Sequence, residues 1–254
     1  MGAGFACCAP VFFYRGGSFM KRLLAALILT ALMSGTVCAE GMTFGVKAGM
    51  VIASVSDIPV MFGEEWDWDT SSRMGMAGGV YMNYPVAGSF SFQPELLFVM
   101  KGFKIKYTDP NFEFDLTGKF NYIEVPLIAR FAVPLEGAIK PWFCFGPSIG
   151  FNMSSDVEGK YTLMGISPTL SGDFSDVTKG TEFSLLFGGG FEYDLGAGAL
   201  TFDIRYELGL TKFIESGDVH WVMEYQGEKD EDDEPIEEQD SKNNAFIIMV
   251  GYTF

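Results

Sequence analysis

The chain has 254 residues, of which 48% are hydrophobic, 15% aromatic and 20% charged, with 31 Gly and a formal charge of -16. Its 25 Phe and 10 Tyr are too many for a chain that stays unfolded, and its negative charge opposes nucleic acid phosphates. Mean hydropathy is +0.19, yet no apolar run after residue 39 approaches the ~20 residues of a membrane helix, which excludes a helical membrane bundle.

Met20-Lys21-Arg22, followed by the apolar stretch Leu23 to Met33, has the form of a secretory signal, and Val37-Cys38-Ala39 supplies the cleavage positions. The stretch is too short for a membrane anchor. Gly35-Thr36-Val37 before Cys38 lacks the leucine and the small residue of a lipoprotein signal. Cleavage is expected before Glu40, which leaves residues 40–254 as one domain; residues 1–19 read as an over-extended start ahead of Met20. The mature chain then holds 14 basic and 33 acidic residues, a net of -19, with Cys144 as its remaining cysteine. No disulfide can form within it, although export brings it to an oxidising compartment.

Period-two alternation marks eight segments, at about 42–53, 73–84, 89–102, 119–132, 140–152, 182–194, 199–212 and 244–254. Each reaches the ~9–11 residues that a tilted transmembrane strand needs. The seventh is the clearest: Leu200, Phe202, Ile204, Tyr206, Leu208 and Leu210 alternate with Thr201, Asp203, Arg205, Glu207, Gly209 and Thr211. The apolar faces carry no charge, as with Phe90, Phe92, Leu96 and Phe98 or Phe143, Phe145, Ile149 and Phe151. The opposite faces are rich in Gly and hold nearly balanced charges: Lys47, Arg73, Lys101, Arg130 and Arg205 against Glu95, Glu124, Glu192, Asp194, Asp203 and Glu207. Small residues and paired charges suit a cramped interior, whereas an open water-facing surface favours long Lys and Glu. The polar face is therefore expected inside and the apolar face in lipid.

The connections alternate in the same sense. Pro85-Val86-Ala87-Gly88, Pro134-Leu135-Glu136-Gly137 and Leu195-Gly196-Ala197-Gly198 are short turns, set between long links at about 54–72, 103–118, 153–181 and 213–243. The expected fold is all-β, an eight-stranded antiparallel up-and-down transmembrane barrel with short periplasmic turns and long extracellular loops, in a bacterial outer membrane. Its last strand sets Phe246, Ile248, Val250, Tyr252 and Phe254 on one face, which resembles the carboxy-terminal signal recognised by the barrel assembly machinery.

Phe44-Gly45-Val46-Lys47-Ala48-Gly49, Gln93-Pro94-Glu95-Leu96-Leu97-Phe98 with Lys101-Gly102, Tyr122-Ile123-Glu124-Val125-Pro126-Leu127 and Arg205-Tyr206-Glu207-Leu208-Gly209-Leu210 resemble the first, third, fourth and seventh strands of the PorT-family outer-membrane β-barrel domain. The resemblance spans most of residues 41–254 and implies an eight-stranded barrel. The founding member is linked to a protein-secretion apparatus while the wider family is functionally mixed, and that role is not carried over, because the long acidic segment here lies outside the family pattern.

Glu95, Glu124, Arg130, Asp203, Arg205 and Glu207 are the candidate lumen charge cluster, read first as an ion-pair plug and second as a gated path. An eight-stranded barrel has little room for an aqueous channel. Between residues 215 and 242 there are twelve acidic and two basic residues, with Glu231-Asp232-Asp233-Glu234 at the centre. That segment reads as a solvated, self-repelling loop, with weak divalent-cation binding alongside lipopolysaccharide as the second reading. It lacks the spacing of an EF-hand loop. Glu64, Glu65, Asp67 and Asp69 surround Trp66 and Trp68 in the first long link, where an interfacial anchor is expected. The lone His220, with Ser216 and Asp218 close by in sequence, is a weak basis for a hydrolase. Cys144 is expected to point inward as a small hydrophobe. No cofactor and no metal centre is expected. The expected role is structural or interaction-based at the envelope, against a narrow pore or a membrane-embedded hydrolase. Expected partners are outer-membrane lipid, lipopolysaccharide, the assembly machinery and an envelope protein.

Overall fold

The computed structural model describes residues 41–56, 69–109, 112–163 and 167–254. The expected leader and the Trp66 and Trp68 anchor lie outside the described residues. Eleven strands are described: β1 (Thr43–Ser56), β2 (Asp69–Ala87), β3 (Phe90–Asp109), β4 (Phe112–Ala132), β5 (Ile139–Leu163), β6 (Thr169–Asp173), β7 (Thr181–Asp194), β8 (Ala199–Gly209), β9 (Gly217–Tyr225), β10 (Glu228–Ile236) and β11 (Lys242–Thr253).

All pairings are antiparallel. β1 lies between β2 and β11, so that Gly49 stands opposite both Ala77 and Met249. β2 pairs with β3, β3 with β4 and β4 with β5. The first half of β5 pairs with β7, which leads through β8 to β11. Followed from β1, the pairings thus return to β1. The second half of β5 instead carries β6, which pairs with β9, and β9 forms a hairpin with β10. β10 is a free edge.

Eight strands fall on the eight periodic segments, and β6, β9 and β10 are additional. They lie where the sequence reading has links, at 153–181 and 213–243. The reason is physical: period two is visible only when one face is apolar and the other polar. β10 is acidic on both faces, and β6 is five residues long. β2 to β5 also extend past their expected ends, so that most of the 103–118 link is strand.

The two faces of these strands are inverted relative to a water-soluble protein. On β3, Ser91, Gln93, Glu95 and Lys101 are buried while Phe90, Phe92, Leu96 and Phe98 are exposed. The same holds on β1, where Lys47 is buried and Phe44, Val46, Met50 and Ile52 are exposed. Exposed apolar faces of this extent are stable in hydrocarbon, not in water. Glycine on the buried face lets neighbouring strands close up: a Cβ at Gly49 would collide with the Ile248 carbonyl, and one at Gly146 with the Leu127 carbonyl. Beyond the charged side chains, an apolar cluster of Phe103, Phe120, Phe174, Phe213 and Trp221 fills the enclosed side towards the long connections. Phe120 meets Phe213 edge-on at 5.1 Å, and Phe174 meets Trp221 likewise at 5.6 Å.

Candidate functional site

The charges expected inside form two separate networks and one satellite pair. In the first network, Glu95 of β3 accepts from Arg205 of β8 through both guanidinium Nη atoms, at 2.8 and 3.0 Å. Lys47 of β1 donates to the same carboxylate at 2.7 Å and to Asp203 at 3.2 Å, and Arg205 also reaches Asp203 at 3.1 Å. Gln93 adds a donor to Glu95 at 2.6 Å. Two cations face two anions, all buried, and the bidentate fork is the strong geometry for such a pair.

The second network is unbalanced. Lys101 of β3 is surrounded by Glu124 of β4, Glu182 of β7 and Glu207 of β8, at 2.8, 3.2 and 2.8 Å. Ser184 donates to Glu207 at 2.6 Å and Asn243 to Glu182 at 2.8 Å. Glu124 meets Lys101 at 2.8 Å, but neither of its oxygens accepts a hydrogen bond of good geometry among the described residues. The satellite pair lies towards the short turns: Arg130 donates to Glu192 at 2.9 Å and its guanidinium stands 4.6 Å from the Trp142 ring centroid.

All six candidates for the inward cluster are therefore buried, but Arg130 reaches the first network only through Gln93, whose side-chain oxygen accepts from it at 3.4 Å. Sequence reasoning did not single out Glu182, and it placed Lys47 and Lys101 among the inward charges without making them cluster members. Glu182 sits at the very start of a periodic segment, where alternation has barely begun. Asp194, expected on the inward face, is half-exposed at a short turn and paired with Lys140 at 3.5 Å. Cys144 is free and buried.

The chain is matched from residue 39 to 215 by a family model described as the outer membrane protein beta-barrel domain. The chain belongs to this outer-membrane β-barrel family. Its place is the bacterial outer membrane. Solved structures similar to it include Neisserial surface protein A (13% identity, 84% of this chain and 98% of that chain covered, TM-score 0.37). Others are OprG from Pseudomonas aeruginosa (13%, 84% and 95%, 0.37) and a major outer membrane protein from Thermus thermophilus (12%, 85% and 100%, 0.42). No curated protein sequence matches the chain.

In a barrel of this family, the exposed face is the lipid face. Phe246, Ile248, Val250 and Phe254, expected as the assembly signal, are exposed there, and Tyr252 stacks edge-on against Phe254 at 5.2 Å. The acidic segment corrects the sequence reading. Glu231, Asp232, Asp233 and Glu234 lie on strand β10, not in a loop, so alternate carboxylates point to opposite faces. They do not converge, and among the described residues no group of three or more His, Cys, Asp or Glu is arranged to hold a metal ion. His220 faces Asp233 across the hairpin, Nδ1 to Oδ1 at 2.8 Å, and this hydrogen bond raises the imidazole pKa above its usual value. Its ring is committed there and not to Ser216 or Asp218.

Proposed function

We propose that this protein is an eight-stranded transmembrane barrel with short periplasmic turns, closed to solute flow by its own side chains. In this reading it serves the envelope as a structural and interaction protein through its acidic outer sheet. The observation that carries it is the second network: side chains from β3, β4, β7 and β8 meet at a single ammonium, so groups from four strands occupy one level of the interior. An eight-stranded barrel is only wide enough for its own side chains. The return of the pairings to β1 supports the strand number.

The kinship to the PorT-family domain belongs to this reading, as does export by the leader ending at Ala39. So do contacts with lipopolysaccharide, with the assembly machinery through β11, and with an envelope protein through the outer sheet. Catalysis is not part of it, since the one histidine is engaged by carboxylates on an exposed hairpin.

Conductance in planar bilayers tests the reading. The purified barrel should show no steady ionic current, and a regular single-channel step would establish the narrow pore in its place. Deleting Phe254 tests the role of β11: heat-modifiable gel mobility should show less folded protein in the outer membrane, and an unchanged amount would mean that assembly does not depend on this terminal aromatic.

A further inference from the structure

The outer sheet borders an open cavity of about 690 Å³, within the range of small-molecule sites. Its floor is apolar and comes from successive strands: Phe114 of β4, Tyr161 of β5, Leu170 of β6, and Trp221 and Met223 of β9. Register explains why they share a face, because Phe114 stands opposite Tyr161 and Leu170 opposite Met223. The next strand outward is β10, where Asp232 stands opposite Trp221 and Asp230 opposite Met223. The lining face thus passes from aromatic to carboxylate in one step, and Asp230, Asp232, Glu234 and Glu237 line the cavity with no Lys or Arg among its described lining residues.

The two faces of the hairpin differ in how their charges are met. On the face turned away from the cavity, Glu231 and Asp233 take His220 at 4.0 and 2.8 Å, and Glu224 takes Lys229 at 3.9 Å. On the cavity face, Asp230, Asp232 and Glu234 have no ion-pair partner among the described residues. Repulsion between edge strands accounts for charge on β10, since edges are blunted in this way. It does not account for a set of unpaired carboxylates set beside Trp221 and Met223 on one lining face. Same-face residues on a strand stand ~7 Å apart, too far to share one divalent ion at ~2.3–2.6 Å, but well placed for a diffuse cation with an apolar body. Aromatic faces beside carboxylates attract such cations twice, by ring quadrupole and by charge.

We propose that this cavity is a binding site for lipophilic organic cations, an ammonium or phosphonium centre carried on an aromatic or aliphatic body. The apolar body lies on Trp221, Met223 and Leu170, and the charge faces Asp230 and Asp232. The site rests on the reading of the outer sheet as the interaction surface of a closed barrel, and it names the class of molecule that surface takes.

The test uses the full mature chain in phosphatidylcholine nanodiscs, with empty nanodiscs subtracted. The probes are tetraphenylphosphonium and tetraphenylborate, which share size and shape but have opposite charge. Tetraphenylphosphonium should bind saturably at one per chain and tetraphenylborate should not, by calorimetry and by Trp fluorescence. The triple variant Asp230→Asn, Asp232→Asn, Glu234→Gln should bind at least tenfold more weakly, and Met223→Lys, which places an ammonium in the cavity, should abolish binding. Raising salt should weaken binding of the wild type more than of the triple variant. Equal binding of the two probes, or affinities within twofold in the triple variant, overturns the proposal. The triple variant changes only exposed side chains, so it decides the matter even if Met223→Lys fails to fold. A barrel that stays silent in planar bilayers yet binds no tetraphenylphosphonium overturns the cation site alone. A barrel that conducts overturns the closed-lumen reading, whatever the binding result.

Discussion

Glu95 in the lumen and Asp233 on the outer hairpin each lie 2.8 Å from a basic side chain, Arg205 in one case and His220 in the other. The Glu95 side chain is fully enclosed and that of Asp233 is 71% exposed. Distance is the same and consequence is not. An enclosed carboxylate has lost its water and depends on every partner it retains, whereas an exposed one is solvated with or without its neighbour. The lumen divides once more by balance. Around Glu95 and Asp203 there are as many cations as anions, while Lys101 alone answers three glutamates.

The largest effect is expected where a balanced, enclosed pair is broken. Arg205→Ala leaves Glu95 and Asp203 with Lys47 as their only cation among the described residues, and should lower barrel stability by about 3–5 kcal/mol. Leu208→Ala, on the lipid face of the same strand, is the control. It should lower stability less, because lipid fills the gap. Urea unfolding of the two variants in liposomes makes the comparison, and an Arg205 variant no weaker than the control would reverse the assignment of inside and outside.

The next effect sets the two networks against each other with one chemical change. Glu95→Gln removes one of two anions from a balanced network and should be destabilising by several kcal/mol, as in other broken buried pairs. Glu124→Gln removes one of three carboxylates crowded on Lys101, and one whose oxygens accept no well-formed hydrogen bond. It should be neutral, or stabilising by about 1 kcal/mol. Equal losses at both positions would mean that charge balance does not distinguish the networks.

What could be read in the chain follows the same physical line. Where one strand face met lipid and the other a crowded interior, as at Leu200 to Leu210, alternation announced the strand, and it placed Asp203, Arg205 and Glu207 on one face. Alternation could not give depth, so it could not separate Arg130, which pairs with Glu192 towards the short turns, from Glu124 at the level of Lys101. Nor could it see β10, where Glu231 and Asp232 differ in what they face but not in polarity. The cavity stayed hidden for that reason. Its floor residues are scattered from Phe114 to Met223, and only pairing across β4, β5, β6 and β9 brings them to one face.

The smallest effect is expected at the exposed pair, and its sign with pH is fixed. Hydrogen bonding to Asp233 raises the His220 pKa in the folded hairpin above its unfolded value. A raised pKa means that the folded hairpin binds the proton more tightly, so the pair's contribution is fully present below the unfolded pKa of ~6.5. It is lost as pH rises through the higher folded value. Titration of the imidazole by NMR should give a midpoint above that of a free histidine, and Asp233→Asn should bring it down. His220→Ala should hardly change global unfolding between about pH 5 and 8, because the pair is exposed on both sides. A large stability change across that window, tied to His220→Ala, would show that the hairpin is coupled to the barrel far more tightly than an exposed ion pair allows.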